Sequence, residues 1–247
     1  GSDLLESAFF SPDGKTLVSE TDGKIIQLWS VADGSLLHTS DGAASGLSIS
    51  PDGQILAYGT EDNTIQLGRI SDGSRLGTLD GPANANQPPA FSPDGQILAA
   101  VWNNTIQLWS VSERRLLRTL ENPTYNEGDL SFSPDGQILA SMMHADQGPI
   151  IQLWQVSDGS LLHTLDGHNE AVRSASFSPD GQILLSSTMG FDGIVQLWRV
   201  SDGSLLQTLK GQGLRQGVQS FRVDFSPDGQ TLIIQDSSGT IRLWQVR

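Results

Sequence analysis

The sequence predicts an all-β fold: a six-bladed β-propeller of four-stranded antiparallel blades, the last blade lacking its outermost strand. Three observations lead there. The phrase Ser-Pro-Asp-Gly occurs six times, starting at Ser11, Ser50, Ser92, Ser133, Ser178 and Ser226. A second phrase of the Ile-Gln-Leu-Trp type follows each one, ending at Trp29, Gly68, Trp109, Trp154, Trp198 and Trp244. The starts are 39, 42, 41, 45 and 48 residues apart, so almost all of the 247 residues are one unit written six times. Strand-rich repeats of ~40–45 residues build propeller blades.

The fifth unit shows the elements in order. Val172 to Phe177 alternates apolar and small polar residues, which is the period of a strand. Pro179-Asp180-Gly181 then supplies turn chemistry: proline presets φ, aspartate bonds the following backbone, and glycine takes positive φ. Gln182 to Thr188 and Ile194 to Val200 read as the next two strands, and Ser201-Asp202-Gly203-Ser204 turns the chain into a fourth from Leu205 to Leu209. We name the four strands a to d. Phe177 and its equivalents close strand a, and five of the six units carry tryptophan in strand c. Residues fixed at one repeat position read as packing between blades. No helical period appears, and Gly1-Ser2 reads as an expression scar, leaving residues 3–247 as a single propeller domain.

Composition narrows the function classes. The formal charge is −14 and the pI near 4.4, which argues against nucleic acid and anionic membranes as partners. Cysteine is absent, so thiol and disulfide chemistry are excluded. No stretch has the ~18–20 apolar residues that cross a bilayer and no secretory leader is present, so the expected location is the cytoplasm.

Taken together, F-S-P-D-G-Q-I-L-A, D-x-T-I-Q-L-W and S-D-G-S-L-L-H-T-L resemble the WD-repeat family of β-propellers, bacterial versions in particular, across residues 3–247. The resemblance implies a rigid platform for protein interactions. It also implies a structural His–Ser/Thr–Asp–Trp hydrogen-bond network, which only the fifth unit can supply, through His168, Ser187 or Thr188, Asp192 and Trp198. The Gly-His pair before strand a survives once, as Gly167-His168. The aspartate that follows the strand-c tryptophan in the family is replaced by Ser30, Ser110, Gln155, Arg199 and Gln245, and in unit two the tryptophan itself is Gly68.

Spacing separates a constant face from a variable one. From the strand-c Trp or Gly to the strand-d threonine the distance is always ten residues, and the a–b turn is always Ser-Pro-Asp-Gly. The d–a connections instead run 11, 14, 14, 14 and 18 residues, and the b–c spacing runs 13, 13, 12, 16, 15 and 13. Alternation of strands puts both variable connections on the opposite face, where insertions concentrate in repeat proteins. That face carries Trp102, Asn103, Tyr125, Asn126, His144, Asp146 and Phe191, with Arg173 and Arg215 beside them. Aromatic residues rimmed by arginine are what binding hot spots contain, so these residues are the expected partner-binding set. The aspartates of the constant face are accounted for as turn residues, and no metal site is expected there.

Strand d follows units one to five but no copy follows Trp244. Ile241, Leu243, Trp244 and Val246 should therefore form an open edge, produced by a trimmed boundary or kept as a slot for its own flanking segment, a partner or a second copy. Such an edge favours self-association. No nucleotide-binding, metalloprotease or nucleophile-elbow motif occurs, so no catalytic residue and no cofactor is assigned. The expectation is a non-enzymatic scaffold or sensor platform. The rivals are a small-ligand or glycan-binding propeller, and an engineered or recently amplified repeat with no evolved ligand.

Overall fold

The computed structural model describes residues 5–21, 25–40, 43–60, 62, 64–79, 87–102, 105–121, 130–145, 148–188, 194–210, 221–236 and 241–246. The chain divides into two compact units, Gly1–Glu121 and Asn122–Arg247.

In the first unit, β1 (Leu5–Phe10), β2 (Thr16–Thr21), β3 (Ile26–Ser30) and β4 (Leu36–Ser40) form one sheet. A second holds β5 (Ala43–Ile49), β6 (Ile55–Thr60), β7 (Ile65–Arg69) and β8 (Arg75–Leu79). A third holds β9 (Ala90–Phe91), β10 (Ile97–Trp102), β11 (Thr105–Ser110) and β12 (Arg115–Glu121). In the second unit, β13 (Leu130–Phe132), β14 (Ile138–Ala145), β15 (Gly148–Gln155) and β16 (Leu161–Leu165) make the fourth sheet. The fifth has β17 (Val172–Phe177), β18 (Ile183–Thr188), β19 (Ile194–Arg199) and β20 (Leu205–Lys210). The sixth has only β21 (Phe221–Phe225), β22 (Thr231–Asp236) and β23 (Ile241–Gln245). Every pair is antiparallel between sequence neighbours, and no helix occurs among the described residues. These are the sheets of a six-bladed β-propeller whose last blade lacks its outermost strand.

The Ser-Pro-Asp-Gly turn owes its constancy to its serine as much as to its proline and glycine. Ser178 Oγ donates to Asp180 Oδ1 at 2.6 Å and accepts the Ile183 N–H at 3.0 Å, while Asp180 also takes the Gln182 N–H at 3.0 Å. The serine-to-aspartate bond recurs in the other five copies. Buried backbone groups need such partners, and one hydroxyl here serves strand and turn together. The c–d hairpin carries a bulge at the same step each time: Leu28/Trp29, Leu67/Gly68, Leu108/Trp109, Leu153/Trp154 and Leu197/Trp198. One extra residue on the outer strand increases the local twist.

The pleat gives each blade two distinct apolar faces. One carries the strand-c tryptophan and the other the Ile/Leu pair beside it. Within the first unit, Val18, Ile26 and Leu28 pack on Leu56 and Tyr58 of the next blade. Ala57, Ile65, Leu67 and Leu79 pack in turn on Leu98, Ala100 and Trp109. The second unit repeats the scheme. Ile151, Leu153 and Leu165 meet Leu184 and Trp198, and Val195, Leu197 and Leu209 meet Val223, Leu232 and Ile234.

Neighbouring blades also interlock at the c–d turn. A Cβ built on Gly73 (φ +68°) would lie 1.9 Å from His38 Cγ, so the histidine of one blade occupies the space above the next blade's glycine. His163 packs on Gly203 in the same way, with Nε2 3.3 Å from the Ser201 carbonyl. Both histidines are thus half-buried packing residues rather than plain surface ones. Between the second and third blades the parts are exchanged. Gly77 stands at the histidine position, and Arg114 (φ +53°) stands at the glycine position and donates to the Leu76 carbonyl.

Candidate functional site

The constellation that resembles a catalytic group lies in the fifth blade. His168 precedes β17, and its Nε2 is 2.9 Å from Ser186 Oγ. The same hydroxyl accepts the Trp198 indole N–H at 2.9 Å, and the imidazole and indole centroids are 5.2 Å apart. All three side chains are buried, and burial pushes the His168 pKa down to about 4 against a modest opposing pull from Asp166. The ring is therefore neutral at physiological pH.

The serine in this network is Ser186, which corrects the expected Ser187. Parity explains the difference. Leu184 pairs with Trp198 and Ser186 with Gln196, so Ser186 shares the tryptophan face, whereas Ser187 pairs with Val195 on the other. The Ser187 hydroxyl instead bonds Ser174 at 2.7 Å, and Thr188 Oγ1 reaches the Ile194 carbonyl. Asp192 lies outside the described residues. Ser186 stands two residues beyond Leu184, the cross-strand partner of Trp198, and therefore on the same face of the sheet.

The same parity explains the other tryptophans. Trp29 donates to Ser19 at 2.9 Å and Trp154 to Ser141 at 3.0 Å, both serines standing where Ser186 does. In the third blade that position is Ala100, and Trp109 donates to Gln107 instead. In the second blade, where Gly68 replaces tryptophan, the position holds Tyr58, which is buried and bonds Ser40 at 3.0 Å. A large aromatic residue has moved one strand over on the same face.

Of the expected partner-binding residues, Asn103, Tyr125, Asn126, Asp146, Phe191 and Arg215 lie outside the described residues. Trp102 is half-buried at the end of β10, and its carbonyl accepts Thr105 Oγ1 at 2.9 Å. The other two belong to the second unit. His144 pairs with Pro149 near the tip of the β14–β15 hairpin, and Arg173 sits at a bulge between Val172 and Ser174. Among the described residues that hairpin runs to eight residue pairs, against five or six in the other b–c hairpins. β15 begins beside the loop before β17, since a Cβ on Gly148 would lie 3.7 Å from the His168 carbonyl. The structure thus brings the start of β15 and the His168 loop together between the fourth and fifth blades.

The opposite end is chemically occupied. The Ser92, Ser133 and Ser178 hydroxyls, then the backbone N–H groups two residues on, hold Asp94, Asp135 and Asp180 below the usual carboxylate range. Ser204, through its hydroxyl and N–H, and Arg199 bring Asp202 down to about 2. Between the second and third blades lies a cleft of about 300 Å³ with an apolar floor of Ile55, Leu76 and Val111 and a rim of Asp52, Asp94 and Arg114.

β23 is an edge strand, with Ile241, Leu243 and Trp244 exposed and Val246 packed against the cluster shared with the fifth blade. No helix among the described residues is long and apolar enough to cross a membrane.

No curated protein matches the sequence. The WD40 family, described as WD domain, G-beta repeat, matches residues 34–67, 74–110, 159–199 and 203–245. Those segments cover more than half of the chain, and they meet the strand order, the repeated turns and the tryptophan-centred blade packing described above. The chain belongs to the WD-repeat family.

Proposed function

We propose that the chain is a non-enzymatic platform for protein interaction, with its contact surface at the end where the variable connections emerge. The extended β14–β15 hairpin carries this reading. Among the described residues it stands two residue pairs beyond the next-longest b–c hairpin, beside the His168 loop, on blades whose other end is constant in length and satisfied by its own hydrogen bonds. A rigid blade edge presents such a hairpin at little ordering cost, which is what a pre-formed binding surface requires. The Ser186–His168 pair supports a structural role, because the Trp198 N–H already occupies the serine oxygen and burial keeps the pair from solvent.

The test is affinity capture with three proteins: wild type, a variant with residues 144–149 replaced by Asn-Gly, and Asp94→Asn at the constant end. The two-residue turn preserves the hairpin register. A partner retained by wild type and Asp94→Asn but lost from the trimmed hairpin is the expected result. Equal retention by all three would show that the surface lies elsewhere.

The cleft between the second and third blades favours a second reading, as a small-ligand site. Its about 300 Å³ is at the lower end of the range for such pockets. Ligand screening against wild type and Arg114→Ala separates this reading from the first.

A further inference from the structure

One blade junction departs from the way the others interlock, and a cleft lies beside it. Where the first blade meets the second and the fourth meets the fifth, a strand-d histidine, His38 or His163, lies over a c–d turn glycine, Gly73 or Gly203. Between the second and third blades the histidine position is Gly77 and the turn position is Arg114. Arg114 has φ +53°, in the left-handed region that Gly34, Gly73, Gly159 and Gly203 occupy in the other complete blades. A non-glycine residue is strained there, and strain of this kind gathers at binding sites. Gly77 makes room for it, since a Cβ at that position would lie 2.6 Å from Arg114 Cδ. The guanidinium donates to the Leu76 carbonyl, and no carboxylate pairs with it among the described residues.

Arg114 lines the cleft of about 300 Å³, whose floor is Ile55, Leu76 and Val111 and whose rim also carries Asp52 and Asp94. Each aspartate uses Oδ1 for its own turn, accepting a serine hydroxyl at 2.6 Å and a backbone N–H at 3.0 Å. Oδ2 of each has no hydrogen-bond partner among the described residues. The Ser92 hydroxyl and the Gln96 N–H hold Asp94 below the usual carboxylate range, so it is charged at neutral pH. The walls are tied together. The Val111 N–H donates to the Gln96 carbonyl at 2.9 Å, and a Cβ on Gly95 would lie 3.8 Å from Pro51 Cδ of the other blade. The cleft is therefore formed before anything enters it, which lowers the ordering cost of binding. Strand order separates its charges. The aspartates come from a–b turns and Arg114 from a c–d turn, two strand spacings or ~10 Å along the sheet. Negative charge thus stands towards strand a and positive charge towards strand d.

We propose that this cleft binds a free apolar α-amino acid of leucine size, with its ammonium at Asp52 and Asp94, its carboxylate on Arg114 and its side chain on Ile55, Leu76 and Val111. Such a ligand carries both charges and an apolar group on one carbon, which matches a rim of both signs around an apolar floor. A purely anionic ligand would meet the two aspartates, and a purely cationic one would leave Arg114 without a counter-charge. The planar carboxylate also suits the fork of a guanidinium. This inference rests on the small-ligand reading of the cleft and specifies the ligand.

The test follows the methyl signals of Ile55, Leu76 and Val111 in NMR spectra of the whole chain, titrated with leucine, leucinamide, N-acetyl-leucine and neutral isoamyl alcohol. The expected result is saturable shifts with leucine. Leucinamide and N-acetyl-leucine, each lacking one charge-assisted contact, should bind at least about tenfold more weakly. Arg114→Gly, which gives the turn the residue the other blades have, should make leucine and leucinamide equal. Asp52→Asn with Asp94→Asn, which keeps the Oδ1 acceptor of both turns, should make leucine and N-acetyl-leucine equal. Equal binding of leucine and its two derivatives by wild type, or a preference for leucine that survives these substitutions, would overturn the proposal. Shifts with isoamyl alcohol but none with leucine would overturn it and leave the cleft a small-ligand site. No shift with any of the four would overturn both.

Discussion

Acidification should weaken this protein through His168 before the turn aspartates Asp94, Asp135 and Asp180 protonate. Burial holds the folded pKa near 4, against an ordinary value of 6.5. Because the folded value is depressed, the unfolded chain takes up the proton first. The stability contributed by the neutral ring is complete above pH 6.5 and is lost progressively as pH falls from 6.5 towards 4. At 1.36 kcal/mol per unit of displacement, the loss is about 2 kcal/mol at pH 5 and about 3 kcal/mol at pH 4. Such a loss is a large fraction of the stability of an ordinary domain. The assay is urea unfolding of wild type and His168→Gln at several values between pH ~7.5 and ~4.5, comparing the two midpoints at each. Wild type should lose its advantage over the variant steadily across this range. The turn carboxylates do not imitate the effect, because hydrogen bonds from serine hydroxyls and backbone N–H groups hold them below 3.8 in the folded chain. Their stabilisation is present above that value and is lost only at lower pH. A constant difference between the two proteins from neutral pH to pH ~4.5 would refute a buried, neutral His168.

Two further substitutions probe the packing. Gly34 and Gly73 occupy equivalent turns with φ of +72° and +68°, but only Gly73 has a neighbour, His38, in its Cβ position. Gly34→Ala should cost about 1–2 kcal/mol of backbone strain. Gly73→Ala should cost measurably more in thermal melts, and adding His38→Ala should remove the excess. Ser186→Ala should destabilise by about 2 kcal/mol or more, since the Trp198 N–H loses its acceptor within the core. Ser187→Ala, which breaks only the bond to Ser174, should cost about 1 kcal/mol. Chemical denaturation of the two variants side by side decides which serine belongs to the network.

Much of the fold was legible in the sequence because each blade is specified locally. Proline, glycine and the serine–aspartate pair define a turn that depends only on its own residues, and period-two patterning defines the strands between such turns. Six copies multiplied a weak signal, so strand order and the missing twenty-fourth strand could be read from spacing. The variable face could be located for the same reason, since connection lengths alternate between the two ends of each sheet.

What the tertiary structure decided were the contacts between strands and between blades. Whether Ser186 or Ser187 meets His168 depends on which face of the pleat Trp198 occupies, a matter of register. The exchange of side chain and glycine between Gly77 and Arg114, like the transfer of an aromatic ring from position 68 to Tyr58, is invisible within a single repeat. Each change is compensated by a residue in a neighbouring strand or blade. Local sequence determines which element forms, because its turn and strand signals act over a few residues. Packing determines what each side chain does, because its partners come from segments tens of residues away.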